Sequence, residues 1–125
     1  MRFGAHIKER RLDMGLSLRT FCLMHGEDPS NWSKIERGMS PPPEKFERIL
    51  QVGRYLGYAE DSQEMRAFFD LADMDRGTIP EDIKGDPALM AKLPLVFRTL
   101  RGAPSEDELM RLADMVREAH TPDVQ

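Results

Sequence analysis

The side chains best suited to covalent chemistry are Cys22 and His25, three positions apart in a stretch with helical spacing. A thiol beside an imidazole can act as nucleophile and base, and the same pair can supply two zinc ligands. The rest of the chain does not support either use. Cys22 is the only cysteine, and the other two histidines, His6 and His120, are distant in sequence. Glu106-Asp107-Glu108 offers clustered carboxylates, but it opens a helical segment, where negative charge opposes the positive end of the peptide dipoles. No phosphate-cradling glycine loop is present. The nine methionines read as adaptable packing residues rather than a cofactor pocket. The expectation is a non-enzyme that uses no cofactor and no metal.

Residues 29–37, Pro-Ser-Asn-Trp-Ser-Lys-Ile-Glu-Arg, offer a different chemistry. At about 100° per residue, Trp32 and Ile35 fall on one side of a helix and Ser30, Ser33, Lys34 and Arg37 on the other, with Asn31 at the border. Hydroxyls, an ammonium and a guanidinium are the groups that reach base edges and phosphate oxygens when a helix lies in the major groove, and asparagine can pair with adenine. Any solvated helix also has a polar face, so this pattern alone leaves both readings open.

Charge is distributed in a way that suits an anionic partner. The net charge of the 125 residues is −4, yet residues 1–58 carry 10 basic and 7 acidic side chains, while residues 59–125 carry 8 and 15. DNA would meet the N-terminal part, with the acidic part held away from the phosphates. The lone cysteine excludes an internal disulfide and points to a reducing, cytoplasmic setting. Arg2, Lys8, Arg10 and Arg11 interrupt the first dozen residues, so no secretory signal is expected, and no apolar run approaches the roughly 20 residues of a membrane span.

These residues must be positioned by helices. Alternating β-branched runs are absent, whereas three-and-four spacing recurs in Phe3/Ile7, Ile49/Leu50/Gly53/Leu56, Met65/Phe68/Phe69/Ala72 and Leu109/Leu112/Val116/Ala119. Ser17, Asp28, Asp61, Asp86 and Ser105 suit N-caps, with capping boxes at Asp61/Glu64 and Ser105/Glu108. Pro29 and Pro87 suit a first helical position, and Gly15, Gly26, Gly38, Gly57, Gly77, Gly85 and Gly102 stand where helices should end. The predicted helices run over 3–14, 17–25, 29–37, 43–56 and 62–74. A joint follows over 75–85, and Pro94 should kink the next helix or restart it at Leu95.

Leu16-Ser17, Gly26, Asp28-Pro29-Ser30, Ser33-Lys34-Ile35-Glu36-Arg37-Gly38 and Pro41-Pro42-Pro43 together resemble the Cro and lambda-repressor (Xre) helix-turn-helix family, over roughly residues 3–74. The resemblance implies an all-α, five-helix DNA-binding domain over 1–75, with Pro29 to Arg37 as recognition helix. It implies Ser30 and Lys34 facing bases, Asn31 at the groove edge and Arg37 on the DNA backbone. Arg11 matches a position that pairs with the glutamate at Glu36 and also touches phosphate. Leu18 replaces the family's usual glutamine at a helix start, leaving Ser17, Arg19 and the helix amides for that phosphate. Glu27 and Arg10 each replace a usual apolar residue, and they are expected to pair. Cys22 takes a position commonly held by a small buried alanine.

Residues 76–125 form a helical C-terminal region. Leu89, Leu93, Leu95, Val96, Phe97 and Leu100, with the helix from Leu109, make more apolar surface than about fifty residues bury well. A homodimer is expected, since repressors of this class generally bind palindromic sites as symmetric pairs. The sequence therefore reads as a dimeric transcriptional repressor. The alternatives are an antitoxin, whose acidic C-terminal part neutralises a basic toxin, and an adaptor that has lost DNA binding.

Overall fold

The computed structural model describes residues 2–102 and 105–119. Among them every regular element is a helix: α1 (Phe3–Asp13), α2 (Leu18–His25), α3 (Pro29–Glu36), α4 (Phe46–Tyr55), α5 (Gln63–Arg76), α6 (Glu81–Lys84), α7 (Pro87–Leu100) and α8 (Glu106–Ala119). The expected all-α class is thus observed. The side chains of Leu112, Val116 and Ala119, and His120 as a whole, lie outside the described residues. The chain divides into two compact units, residues 1–80 and residues 81–125.

Local signals account for most helix ends. Ser17 accepts a hydrogen bond from the Thr20 amide at 3.1 Å, Asp28 from Asn31 at 3.2 Å and Ser105 from Glu108 at 3.2 Å. Asp86 accepts from both Ala88 and Leu89, and Pro87 follows it at the first helical position. Each cap satisfies amides that have no partner within the first helical turn. Gly15, Gly26, Gly38, Gly57 and Gly77 adopt positive φ, whereas Gly85 and Gly102 do not.

Four expectations are corrected. Ser62, not Asp61, caps α5, accepting from the Met65 amide at 3.1 Å. α4 starts at Phe46 rather than 43: Lys45 before it is extended, at φ −77° and ψ 130°, and Arg76 at the end of α5 donates to the Pro43 carbonyl. The joint after α5 contains the short helix α6. Pro94 lies inside α7, and no new helix starts at Leu95. The lost Pro94 amide removes one hydrogen bond, but the ring's fixed φ is itself helical.

The core of the first unit follows from the spacing. Phe3 and Ile7 of α1, Phe21 and Cys22 of α2, Trp32 of α3, Ile49, Leu50 and Val52 of α4, Leu56 at its cap, and Met65, Phe68 and Ala72 of α5 form one buried cluster. Burying each large apolar side chain contributes about 1.5–3 kcal/mol relative to exposure. Phe3 stacks on Phe68 at 4.9 Å between ring centroids, and Phe21 meets Trp32 at 5.2 Å. α3 is therefore held from beneath by α1 and α2, its principal neighbours.

Two glycines let helices approach closely. A Cβ added at Gly4 would stand 2.0 Å from the Ile35 carbonyl oxygen and 2.8 Å from that of Glu36, so α1 touches the last turn of α3 backbone to backbone. A Cβ at Gly53 would lie 2.3 Å from the Met65 sulfur. That second contact is with a flexible thioether, which can shift more readily than a carbonyl.

In the second unit α6 packs on α7. Leu89, Met90, Leu93 and Val96 share one face of α7 and are half-buried, while Phe97 and Leu100 at its end remain 45% and 43% exposed. No residue of α7 is fully buried.

Candidate nucleic-acid interface

α2 and α3 are joined by Gly26-Glu27-Asp28. Gly26 ends α2 at φ 67°, where a side chain would be strained, and the Glu27 amide returns to the Cys22 carbonyl at 2.9 Å. Asp28 and Pro29 then start α3. The chain thus passes from one helix to the next in three residues.

α3 has two distinct sides. Trp32 and Glu36 are buried and Ile35 is half-buried, whereas Ser30, Asn31, Lys34 and Arg37 are exposed. Ser33, expected with the exposed group, is half-buried, and its carbonyl accepts a hydrogen bond from Arg37 Nε at 3.3 Å. Ser17 and Arg19 are exposed at the start of α2. Ser17 Oγ also donates to Thr20 Oγ1 at 2.9 Å. Seven of the eight side chains singled out from the sequence are therefore wholly or partly at the surface.

The eighth, Arg11, is only 5% exposed. Its Nε and Nη2 donate to the two oxygens of Glu36, each at 2.8 Å, and its Nη1 donates to the Leu16 carbonyl at 2.8 Å. Trp32 Nε1 donates to Glu36 Oε2 at 2.9 Å. The forked guanidinium matches the carboxylate with two parallel bonds, which fixes direction as well as distance. Hydrogen bonding to Glu36 raises the Arg11 pKa further, so the cation is permanent. The expected Arg11–Glu36 pair is present, and it bolts the end of α3 to α1 and to the entrance of α2.

Glu27 is anchored differently from the expectation. Its carboxylate receives Arg48 Nη1 at 2.9 Å and Nη2 at 2.6 Å, together with the Tyr55 hydroxyl at 2.8 Å. Arg10 instead donates to the Leu56 carbonyl at 2.9 Å and lies over the Tyr58 ring. The reason is directional: this part of α1 faces the end of α4, whereas the turn faces the side of α4 carrying Arg48 and Tyr55. Those two residues are seven positions apart and so share a helix face, a spacing visible in the sequence although its target was not.

The Glu27 contact makes a pH prediction. Hydrogen bonds from Arg48, opposed by burial and assisted by Tyr55, hold the Glu27 carboxyl below its ordinary 4.5. Its stabilisation is therefore complete above the unfolded-state value and disappears as pH falls through the lower folded-state value. Glu27→Gln is expected to cost about 1–2 kcal/mol at neutral pH and progressively less in acid. Urea unfolding of both proteins at pH 7 and pH 3 measures this, and an equal difference at the two pH values would rule the anchor out.

The Cys22/His25 pair has a packing environment. Cys22 is buried, and desolvation is the main cause that pushes its thiol pKa up, away from the reactive thiolate. The His25 ring stacks on Tyr55 at 4.1 Å between centroids and meets the edge of Phe21 at 4.7 Å. Among the described residues no three His, Cys, Asp or Glu side chains converge as a metal-binding group, and no helix is long and apolar enough to cross a membrane.

Comparison with protein-family models, with curated proteins and with solved structures finds no match for this chain.

Proposed function

We propose that this protein is a sequence-specific DNA-binding transcriptional regulator, a dimeric repressor working in the cytoplasm at a palindromic operator. In this reading α1–α5 form the five-helix domain of the Cro and lambda-repressor type that the sequence resembles, and α3 is its recognition helix. The observation that carries the reading is the division of α3: an exposed row of Ser30, Asn31, Lys34 and Arg37 backed by a side locked through Trp32, Glu36 and Arg11. A helix that reads bases must present polar groups without moving, because base discrimination depends on hydrogen-bond geometry.

The residues divide by task. Ser30, Asn31 and Lys34 read base edges, Ser33 supports them, and Arg37, Arg19 and Ser17 hold the DNA backbone with the first amides of α2. Arg11 acts from beneath, by holding α3. Two copies related by a dyad place their recognition helices in successive major grooves about one turn apart, and occupancy excludes polymerase.

The test is binding to the duplex upstream of the protein's own gene, against a scrambled duplex, over a range of salt. Lys34→Ala is expected to weaken specific binding by about tenfold to a hundredfold, as loss of one good base contact of roughly 1–3 kcal/mol would. Weak binding of wild type and variant to both duplexes alike would sink the proposal and point to a protein partner.

A further inference from the structure

Where the chain between α4 and α5 meets α1, it leaves an open hollow of about 440 Å³ lined by Arg10, Gly57, Tyr58, Ala59, Ser62 and Glu64, all in the first unit. That volume falls within the roughly 300–1,000 Å³ of small-molecule sites. Its walls are held in place from behind. The Tyr58 hydroxyl and His6 Nε2 are 2.8 Å apart, and the Tyr58 ring meets Phe68 of the core at 5.9 Å between centroids. Arg10 Nε donates to the Leu56 carbonyl at 2.9 Å, and the guanidinium lies 5.7 Å from the centre of the Tyr58 ring. Gly57, at φ 85°, brings the backbone close to the same group: a Cβ there would stand 3.5 Å from Arg10 Nη2.

Two opposite charges line this hollow, and neither has a counter-ion among the described residues. Arg10 is half-buried, and the carboxylate expected to pair with it, Glu27, is taken by Arg48. Its Nη1 and Nη2 remain once Nε has bonded to the Leu56 carbonyl. Glu64 was expected to close a capping box with Asp61, but Ser62 caps α5 and leaves that exposed carboxylate without the role. The two charges do not pair with each other, although both act on Tyr58. Burial pushes the Tyr58 hydroxyl pKa up, Arg10 opposes the shift and Glu64 adds to it.

A fixed guanidinium and an unpaired carboxylate in one hollow select a ligand by charge. The two Nη groups suit a carboxylate, which accepts parallel bonds from a guanidinium. Glu64 repels a phosphate dianion and attracts an ammonium. We propose that this hollow binds a free α-amino acid, its carboxylate on Arg10 and its ammonium on Glu64. The site stands apart from the DNA-binding reading, and its test uses no DNA.

The experiment follows thermal unfolding of the full chain with each of the standard amino acids, in a buffer free of carboxylate and phosphate. The amino acid that raises the midpoint most is then titrated calorimetrically, and binding of one per chain is expected. Its N-acetyl derivative, which lacks the ammonium, and its carboxamide, which lacks the carboxylate, are each expected to bind about tenfold or more weakly. Arg10→Gln and Glu64→Gln are expected to weaken the amino acid by a similar factor. Glu64 is exposed, so its variant keeps the fold even where Arg10→Gln, which also loses the Leu56 carbonyl, is less stable. Glu64→Gln is further expected to distinguish the amino acid from its N-acetyl derivative less than wild type does, because the group that reads the ammonium is gone. Three results would each overturn the proposal: no amino acid raises the midpoint, the N-acetyl derivative or inorganic phosphate binds as tightly as the amino acid, or Glu64→Gln binds it as tightly as wild type.

Discussion

Replacing Gly4 by alanine is expected to destabilise the protein by about 3 kcal/mol, at the upper end of what inserting one buried carbon costs. The added methyl would stand 2.0 Å from the Ile35 carbonyl oxygen and 2.8 Å from that of Glu36, so α1 and α3 must separate. Neither obstacle is a side chain that can rotate away. If α3 is the recognition helix proposed above, its direct displacement is expected to lower operator affinity even at temperatures where the variant is still folded. Urea unfolding measures the first effect and binding to the upstream duplex at low temperature the second. Gly53→Ala is the control, since its new methyl meets the Met65 thioether. A Gly4 variant no less stable than the Gly53 variant would show that α1 and α3 are not in backbone contact.

The second large effect concerns the ion pair beneath α3. Glu36→Ala is expected to cost about 3–5 kcal/mol, because it leaves the Arg11 guanidinium buried without its anion. The side chains concerned are 6% and 4% exposed, so water cannot substitute for the lost partner. Arg11→Met is expected to cost a similar amount by stranding the carboxylate. The double variant Arg11→Met/Glu36→Leu should cost clearly less than the sum, since two groups that needed each other are removed together. Trp32 reports on the same site, because its indole N–H loses the Glu36 acceptor in both Glu36 variants. Strictly additive losses, with unchanged Trp32 fluorescence, would contradict the network.

These two predictions differ in how far they could have been seen beforehand. The Arg11–Glu36 pair was expected only through the resemblance to a known family, since nothing in the spacing of two residues 25 positions apart announces a contact. The close approach at Gly4 had no sequence signal at all. A glycine near the start of a helix reads as a weak helix former, and only the carbonyls of α3 give it a purpose. The partner of Glu27 was misread for a related reason. Arg10 and Arg48 both stand on helices near the turn, and which guanidinium reaches the carboxylate depends on how those helices are rotated about their axes.

What the sequence determined by itself was local. The three-and-four spacing set the all-α class and most of the core, and Ser17, Gly26, Asp28 and Pro29 marked the two helices and the turn because caps and left-handed glycines act within about four residues. The exposed row of Ser30, Asn31, Lys34 and Arg37 followed from the same periodicity. Tertiary structure decided which groups hold that row still. Arg11, Arg48, Tyr55 and Gly4 come from other helices, and their contacts with α3 and the turn depend on packing between elements, where one helical rotation changes every partner.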